Sequence, residues 1–402
     1  MVEIDVKEKD DNKSNAKIVV IGVGGAGNNA INRMVDAKIS GVKLVGVNTD
    51  TQALKLCKAP DKVAIGAKVT QGLGAGAVPE VGEKAAEEST EDLESVMDGA
   101  DMVIVTCGMG GGTGTGAAPV IAKLAKDKDI LTVAIVTKPF LFEGRPRMNT
   151  ANGGIEKLRQ NVDTLIVIQN EKLFKLGGRN LGLKEGFRLA DQVLQQSVQG
   201  ITSLINSPYE VNLDFADVRT TMKDKGIAQI GIGTATGDDR ALEAVKMATE
   251  SPLLDTTIEG ASNAIVSMCG NIKMEDVQSV LGYVENLTGE DANIIWGAAD
   301  TEDEDDSLTV TVIATGLKDN NKNDLFSKLN YSQKSTPRSG SQSMYRSGIT
   351  SRDTDRGGLE INVPDFANRS GQEPQRQMNT IRRPVQPEPK ISGKPNFLKN
   401  LK

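Results

Sequence analysis

The sequence predicts an α/β protein with four parts: a Rossmann-like parallel-sheet domain that binds a nucleotide, a central helix, a second α+β domain and a disordered C-terminal tail. Three observations carry this expectation. Five apolar runs in the first 170 residues each end in a glycine or polar cluster, and helical stretches separate them. A long amphipathic stretch follows from Leu183. The composition then changes abruptly near Lys318.

Residues 1–15 are charged and unpatterned and read as a disordered arm. In the nucleotide-binding domain, 16–182, the run Ile18–Ile21 meets glycines and then a helical pattern, so strand, tight loop and helix are expected. Further strands are expected at Val42–Val47, Met102–Val105, Thr132–Val136 and Thr164–Ile168, with helix at Pro119–Lys126 between two of them. In a doubly wound sheet, ligands bind beyond the carboxyl ends of the strands, and each cluster lies at such an end. Leu183, Phe187, Leu194, Val198, Ile201 and Ile205 keep one face apolar at helical spacing, which predicts a central helix over 183–206. Within 207–317, strands are expected at Ile227–Ile232, Ala264–Met268 and Leu308–Ala314, with Thr301–Asp306 as an acidic, solvated loop. Residues 318–390 are rich in Ser, Gln, Asn, Arg and Pro and read as a linker. Residues 391–402 regain apolar side chains, the pattern of a short docking peptide.

Composition excludes several classes of function. There is no histidine, so the commonest general base and metal ligand are missing. Cys57, Cys107 and Cys269 are far apart and fit neither a disulfide framework nor a zinc site. No run reaches the roughly 20 apolar residues of a membrane span, and the charged N-terminus has no targeting pattern, so a soluble cytoplasmic protein without membrane insertion is expected. Residues 318–402 carry 16 Lys+Arg and 8 Asp+Glu, against 31 and 46 in the rest. The acidic body argues against nucleic acid as a partner.

Two glycine loops compete to define the chemistry. Gly22-Val-Gly24-Gly-Ala-Gly27 follows a strand and opens a helix, and Asp50 ends the next strand, which together match a dinucleotide-binding fingerprint. On those residues alone a nicotinamide or flavin enzyme is favoured. The second loop, Gly108-Met-Gly110-Gly111-Gly112-Thr113-Gly114-Thr115-Gly116, is longer. Consecutive glycines can turn several amides toward one anion, Thr113 and Thr115 add hydroxyls, and Pro119 is expected in the first turn of the helix that follows. Two cradles at neighbouring strand ends suit one triphosphate. No G-x-x-x-x-G-K-[ST] occurs, so the chain is not a P-loop enzyme.

The segment Gly110–Gly116 resembles the signature of the tubulin/FtsZ superfamily of GTPases, in particular its bacterial cell-division branch. The resemblance runs from about Lys17 to Leu317. It implies GTP and GDP as ligands, with Mg2+ held mainly by phosphates and water and no protein metal cage. Gly24, Gly25, Ala26, Gly27, Asn28 and Asn29 look like the first phosphate loop, and Asn48, Thr49 and Asp50 like the second. Gly110, Gly111, Gly112, Thr113, Gly114 and Thr115 look like the main cradle. Gly74–Gly82 is similar to the loop that senses the terminal phosphate, with Val78 where the family usually has Asn. Glu143 and Arg147 resemble the sugar loop, Asn170 and Asp191 the guanine readers, and Phe187 the residue stacked on the base. A carboxylate suits guanine, whose N1 and N2 both donate, and Asp191 lies four residues after Phe187 on one helix face.

Asn212-Leu-Asp214-Phe-Ala-Asp217 carries two acids on one helix face. Taken alone, helix capping is their commoner use. The resemblance instead implies a synergy loop that reaches the nucleotide of the neighbouring subunit, with Asn212, Asp214 and Asp217 catalytic. The expected protein is a GTPase that polymerises head-to-tail into cytoplasmic filaments, a ring at mid-cell that organises division and septation, with each active site completed between adjacent subunits. Pro395, Phe397 and Leu398 resemble the family's docking peptide for division proteins and membrane tethers, with Gly393 where an acid is usual. A nicotinamide oxidoreductase and a tubulin-like scaffold that binds GTP without hydrolysing it are the alternatives.

Overall fold

The computed structural model describes residues 16–177, 182–206, 214–251, 257–300 and 306–317, all within one compact unit. The arm 1–15, Asn212, the linker 318–390 and the peptide 391–402 lie outside the described residues.

Six strands, β1 (Ile18–Val23), β2 (Val42–Asn48), β3 (Asp61–Ala64), β4 (Met102–Gly108), β5 (Leu131–Lys138) and β6 (Thr164–Gln169), pair in parallel in the order β3-β2-β1-β4-β5-β6. Apart from the short edge strand β3, their apolar runs are explained by burial on both faces. Ile18 and Val20 of β1 join Met102 and Ile104 of β4 on one face, while Val19, Ile21 and Val23 join Val103 and Val105 on the other. Helices α1 (Gly24–Asp36), α2 (Thr51–Leu56), α3 (Ala67–Thr70), α4 (Pro79–Glu88), α5 (Thr90–Val96), α6 (Thr113–Asp127), α7 (Arg145–Arg159), α8 (Asn170–Gly177) and α9 (Leu183–Asn206) complete this half. Ile31 and Met34 of α1 with Val193, Leu194 and Val198 of α9 cover the first face. Ala117, Ala118 and Ile121 of α6 with Ala85 and Ala86 of α4 cover the second.

After α9 the chain forms α10 (Phe215–Met222), β7 (Gly226–Thr236), α11 (Arg240–Thr249), β8 (Asn263–Gly270), α12 (Met274–Thr288), β9 (Asn293–Asp300) and β10 (Ser307–Thr315). β7 is parallel to β6, so one sheet of ten strands continues as β7-β10-β8-β9. β10 runs antiparallel to β7 and β8, and β9 is parallel to β8. The sheet is thus mostly parallel, with a mixed second part.

Two details differ from the sequence reading. Pro119 lies inside α6, not in its first turn, because the helix already starts at Thr113. Its missing N–H removes one i→i−4 bond, at a position buried against the core. The first apolar residues of the central helix, Leu183 and Phe187, are 67% and 40% exposed, so the core stripe begins only at Leu189. Of the acidic loop before β10, only Asp306 is described; it is exposed and also pairs with the buried guanidinium of Arg240.

Candidate functional site

β1 and β4 are neighbours at the point where strand order reverses; β1 runs straight into α1, and β4 leads into α6 through the short glycine loop 109–112. The N-termini of α1 and α6 therefore converge. Gly24 has φ +71°, and a Cβ there would stand 3.1 Å from the amide nitrogen of Gly114. Neither helix has an acid in its first turn or a side chain capping its free amides. Two helix dipoles and two sets of unspent N–H groups make a strong anion site.

The glycines fall into two sets. A Cβ on Gly27 would lie 2.5 Å from the carbonyl oxygen of Thr106, one on Gly114 2.8 Å from that of Gly108, and one on Gly116 would collide with that of Pro79. These glycines permit helix and strand to pack. Gly25 and Gly111 face open space; there the absent side chain leaves backbone accessible to a ligand.

Polar side chains brace the floor. The Thr49 and Thr113 hydroxyls lie 2.6 Å apart and join the second loop to the main cradle. Thr115 accepts from the Gly110 amide at 2.9 Å and fixes the turn. Asn28 is buried and, with its amide oriented by its surroundings, donates to the Gly22 carbonyl at 2.8 Å and accepts from Asn48 at 3.1 Å. Asn48 in turn accepts from the Asp50 amide. The Asp50 carboxylate caps α2, accepting from the amides of Gln52 and Ala53. Asn29 is exposed and Ala26 half-buried. On a third side, Gly112 packs so closely on Ala75 and Val78 that no Cβ fits. The loop before α4 therefore rests on the cradle, with Val78 44% exposed beside it.

The loop after β5 leads to the other end of the site. Glu143 accepts from the Phe140 amide at 2.8 Å and pairs with Arg147 at 3.2 Å, while the Arg147 stem packs beside Gly110. Phe140 meets Phe142 in a stack with centroids 5.1 Å apart and Phe187 edge-on at 5.3 Å. Asn170 starts α8, is buried, and its Oδ1 has no hydrogen-bond partner among the described residues. A buried acceptor left open in this way is available to a hydrogen-bond donor. Asp191 faces Arg33 of α1, and burial pushes its carboxyl up to about 6 despite that guanidinium. Arg33 was not foreseen, because a pair between helices 158 positions apart in sequence leaves no local signal.

Asp214 holds the N-cap position of α10, yet its carboxylate makes no capping bond. Asp214 and Asp217 are both exposed. The capping use is therefore absent. The structure does not bring these acids to the cradle. The carbonyls at the end of α10 accept from Thr164 Oγ1, at Met222, and Thr315 Oγ1, at Thr221. Thr164 opens β6 and pairs with Gly226, which opens β7. α10 thus lies at the amino edge of the sheet, and the glycine loops at its carboxyl edge.

A doubly wound sheet with a two-loop cradle, an aromatic cluster and a buried carboxylate defines a nucleoside-triphosphate enzyme of the tubulin type. Residues 17–178 match the Tubulin/FtsZ family GTPase domain, and residues 226–318 match the FtsZ family C-terminal domain. An FtsZ dimer from M. jannaschii is 46% identical, with 77% of this chain and 90% of that chain covered at a TM-score of 0.74. A mutant FtsZ from the same organism is also 46% identical, covering 75% and 92% at 0.73. A GTPγS-bound protofilament of CetZ2 from Haloferax volcanii, at 23% identity and 0.64 over 78% and 99%, shares the fold. The chain belongs to the FtsZ family of tubulin-like, filament-forming GTPases.

Proposed function

We propose that this GTPase hydrolyses GTP only between stacked subunits, in head-to-tail filaments that organise cell division. The observation that supports the reading is that α10, which begins at Asp214, and the glycine loops lie at opposite edges of one sheet. Strands of six to eight residues at about 3.3 Å per residue separate the edges by roughly 20–26 Å. Asp214 and Asp217 are too far from their own cradle, but an axial neighbour can present them to it. Exposed apolar side chains around the nucleotide edge, Leu73, Val78, Leu141 and Phe142, suit burial by that neighbour.

In this reading Gly24–Asn29 and Gly110–Thr115 hold the phosphates. Glu143 and Arg147 hold the sugar, Phe187 packs on the base, and Asn170 and Asp191 read guanine. Asp214 and Asp217, with Asn212, orient the attacking water. Phosphoryl transfer asks the protein mainly for positioning and charge neutralisation. The cradle holds hydroxyls and one acid already spent as a cap, a donor set that fits Mg2+ carried by phosphates and water; the ion supplies charge neutralisation when bound. Residues 391–402 dock division proteins and membrane tethers at mid-cell in the cytoplasm. Among the described residues, no helix is long and apolar enough to cross a membrane.

Turnover per subunit, measured against protein concentration, should rise through an assembly threshold. A flat profile overturns the shared site.

A further inference from the structure

The turn between α6 and β5 carries Asp129, which has φ +54°. Its carboxylate meets two cations at the end of α10: Arg219 in the helix at 3.1 Å and Lys223, its C-cap, at 2.9 Å. Arg219 also donates to the Asp129 carbonyl at 3.1 Å. Alongside, the charges are reversed. Lys126 of α6 meets Asp224, just past α10, at 3.2 Å, and also Asp163 at 3.5 Å. Opposite charges interleaved in this way specify one register between two elements, since a slip brings like charges together.

From this geometry we infer that Asp129 is a positioning residue for catalysis: it sets the orientation of α10 and thereby of Asp214 and Asp217. The inference rests on the reading of those acids given above. Single exposed ion pairs add little to stability, so the clamp's value lies in aim. A carboxylate presented to a neighbour's nucleotide from the first turn of a helix is displaced by any tilt of that helix, and small misplacements cost rate steeply. Lys223 and Arg219 hold the Asp129 carboxyl below the usual carboxylate range, so the clamp stays charged at neutral pH. The same helix α6 begins in the phosphate cradle, with Thr113, and carries Lys126 in its last turn beside the clamp. The two functional edges of the sheet are therefore joined by one rigid element.

The test is Asp129→Asn in the full-length chain. Asn tolerates the left-handed backbone as Asp does, so only the charge is removed. GTP turnover per polymerised subunit should fall about three- to tenfold, while KM for GTP and polymer mass stay unchanged, the pattern of lost positioning. Hydrogen exchange over residues 215–222 should rise. Asp129→Lys combined with Lys223→Glu rebuilds one bridge with reversed charges and should recover part of the rate. Raised exchange with unchanged turnover overturns the positioning role. A parallel loss of nucleotide affinity does so too, because it places the effect in the subunit's own cradle. Asp214→Ala with full turnover instead sinks the catalytic assignment, whatever Asp129 does.

Discussion

The carboxylate of Asp191 on α9 lies 3.6 Å from Nε of Arg33 on α1, with 15% of the Asp191 side chain exposed. The guanidinium offsets only part of the cost of burial, and the folded carboxyl titrates near 6.

This sets a pH dependence for folding. The folded value lies above the unfolded one, so the protonated acid favours the folded chain. Its contribution is complete below about pH 4 and is lost as pH rises through about 6. Relative to Asp191→Asn, the nucleotide-free protein should lose about 2–3 kcal/mol over that window, since one pKa unit is worth about 1.4 kcal/mol. Urea titrations of both proteins from pH 4 to 7 measure it; parallel curves would refute the assignment.

The same pair governs the base. Guanine N1 and N2 donate to an ionised carboxylate, so GTP affinity should fall below pH 6. Arg33→Ala should move that edge to higher pH by removing the cation that opposes burial. Asp191→Asn should lose GTP by about 1.5–3 kcal/mol, the size of a hydrogen bond to a charged group. It should gain XTP, whose C2 carbonyl accepts where guanine donates. Calorimetry with both nucleotides decides.

The glycines separate by function. Gly111→Ala faces open space and should leave stability within about 0.5 kcal/mol, yet weaken nucleotide binding. Gly116→Ala meets the Pro79 backbone and should destabilise the fold by about 1–3 kcal/mol or more. Equal effects on both properties at both sites would contradict the division.

Asp214→Ala should reduce turnover about 10²- to 10⁴-fold, the usual reach of a general base, with GTP binding changed less than about threefold. Loss of binding instead would place Asp214 in its own subunit's nucleotide site.

Much of this was legible in the sequence where local rules dominate. Ile18–Ile21 and Met102–Val105 announced buried parallel strands because both their faces need apolar cover. Gly110–Gly116 announced an anion site because few other residues allow such a loop. What stayed hidden depends on distant partners. β3 is a four-residue edge strand with little apolar signal, and β9 was equally unannounced. Asp50, Asn28 and Asn48 fell in the expected loops, but their side chains are spent holding backbone, which spacing alone does not reveal. Arg33 and Asp129 act through residues far along the chain.

The placement of cradle and acids on opposite edges also makes a filament's two tips chemically unequal. Under head-to-tail stacking, a row of subunits always has one fewer complete active site than it has nucleotides. With each site completed by a neighbour, as proposed above, one terminal subunit would keep intact GTP because nobody supplies its acids; the other would offer acids to no one. The first tip is protected for as long as it bears GTP, whereas loss at the second follows the age of the nucleotide beneath the departing subunit. Directional turnover then needs no additional machinery, only a monomer that cannot serve itself.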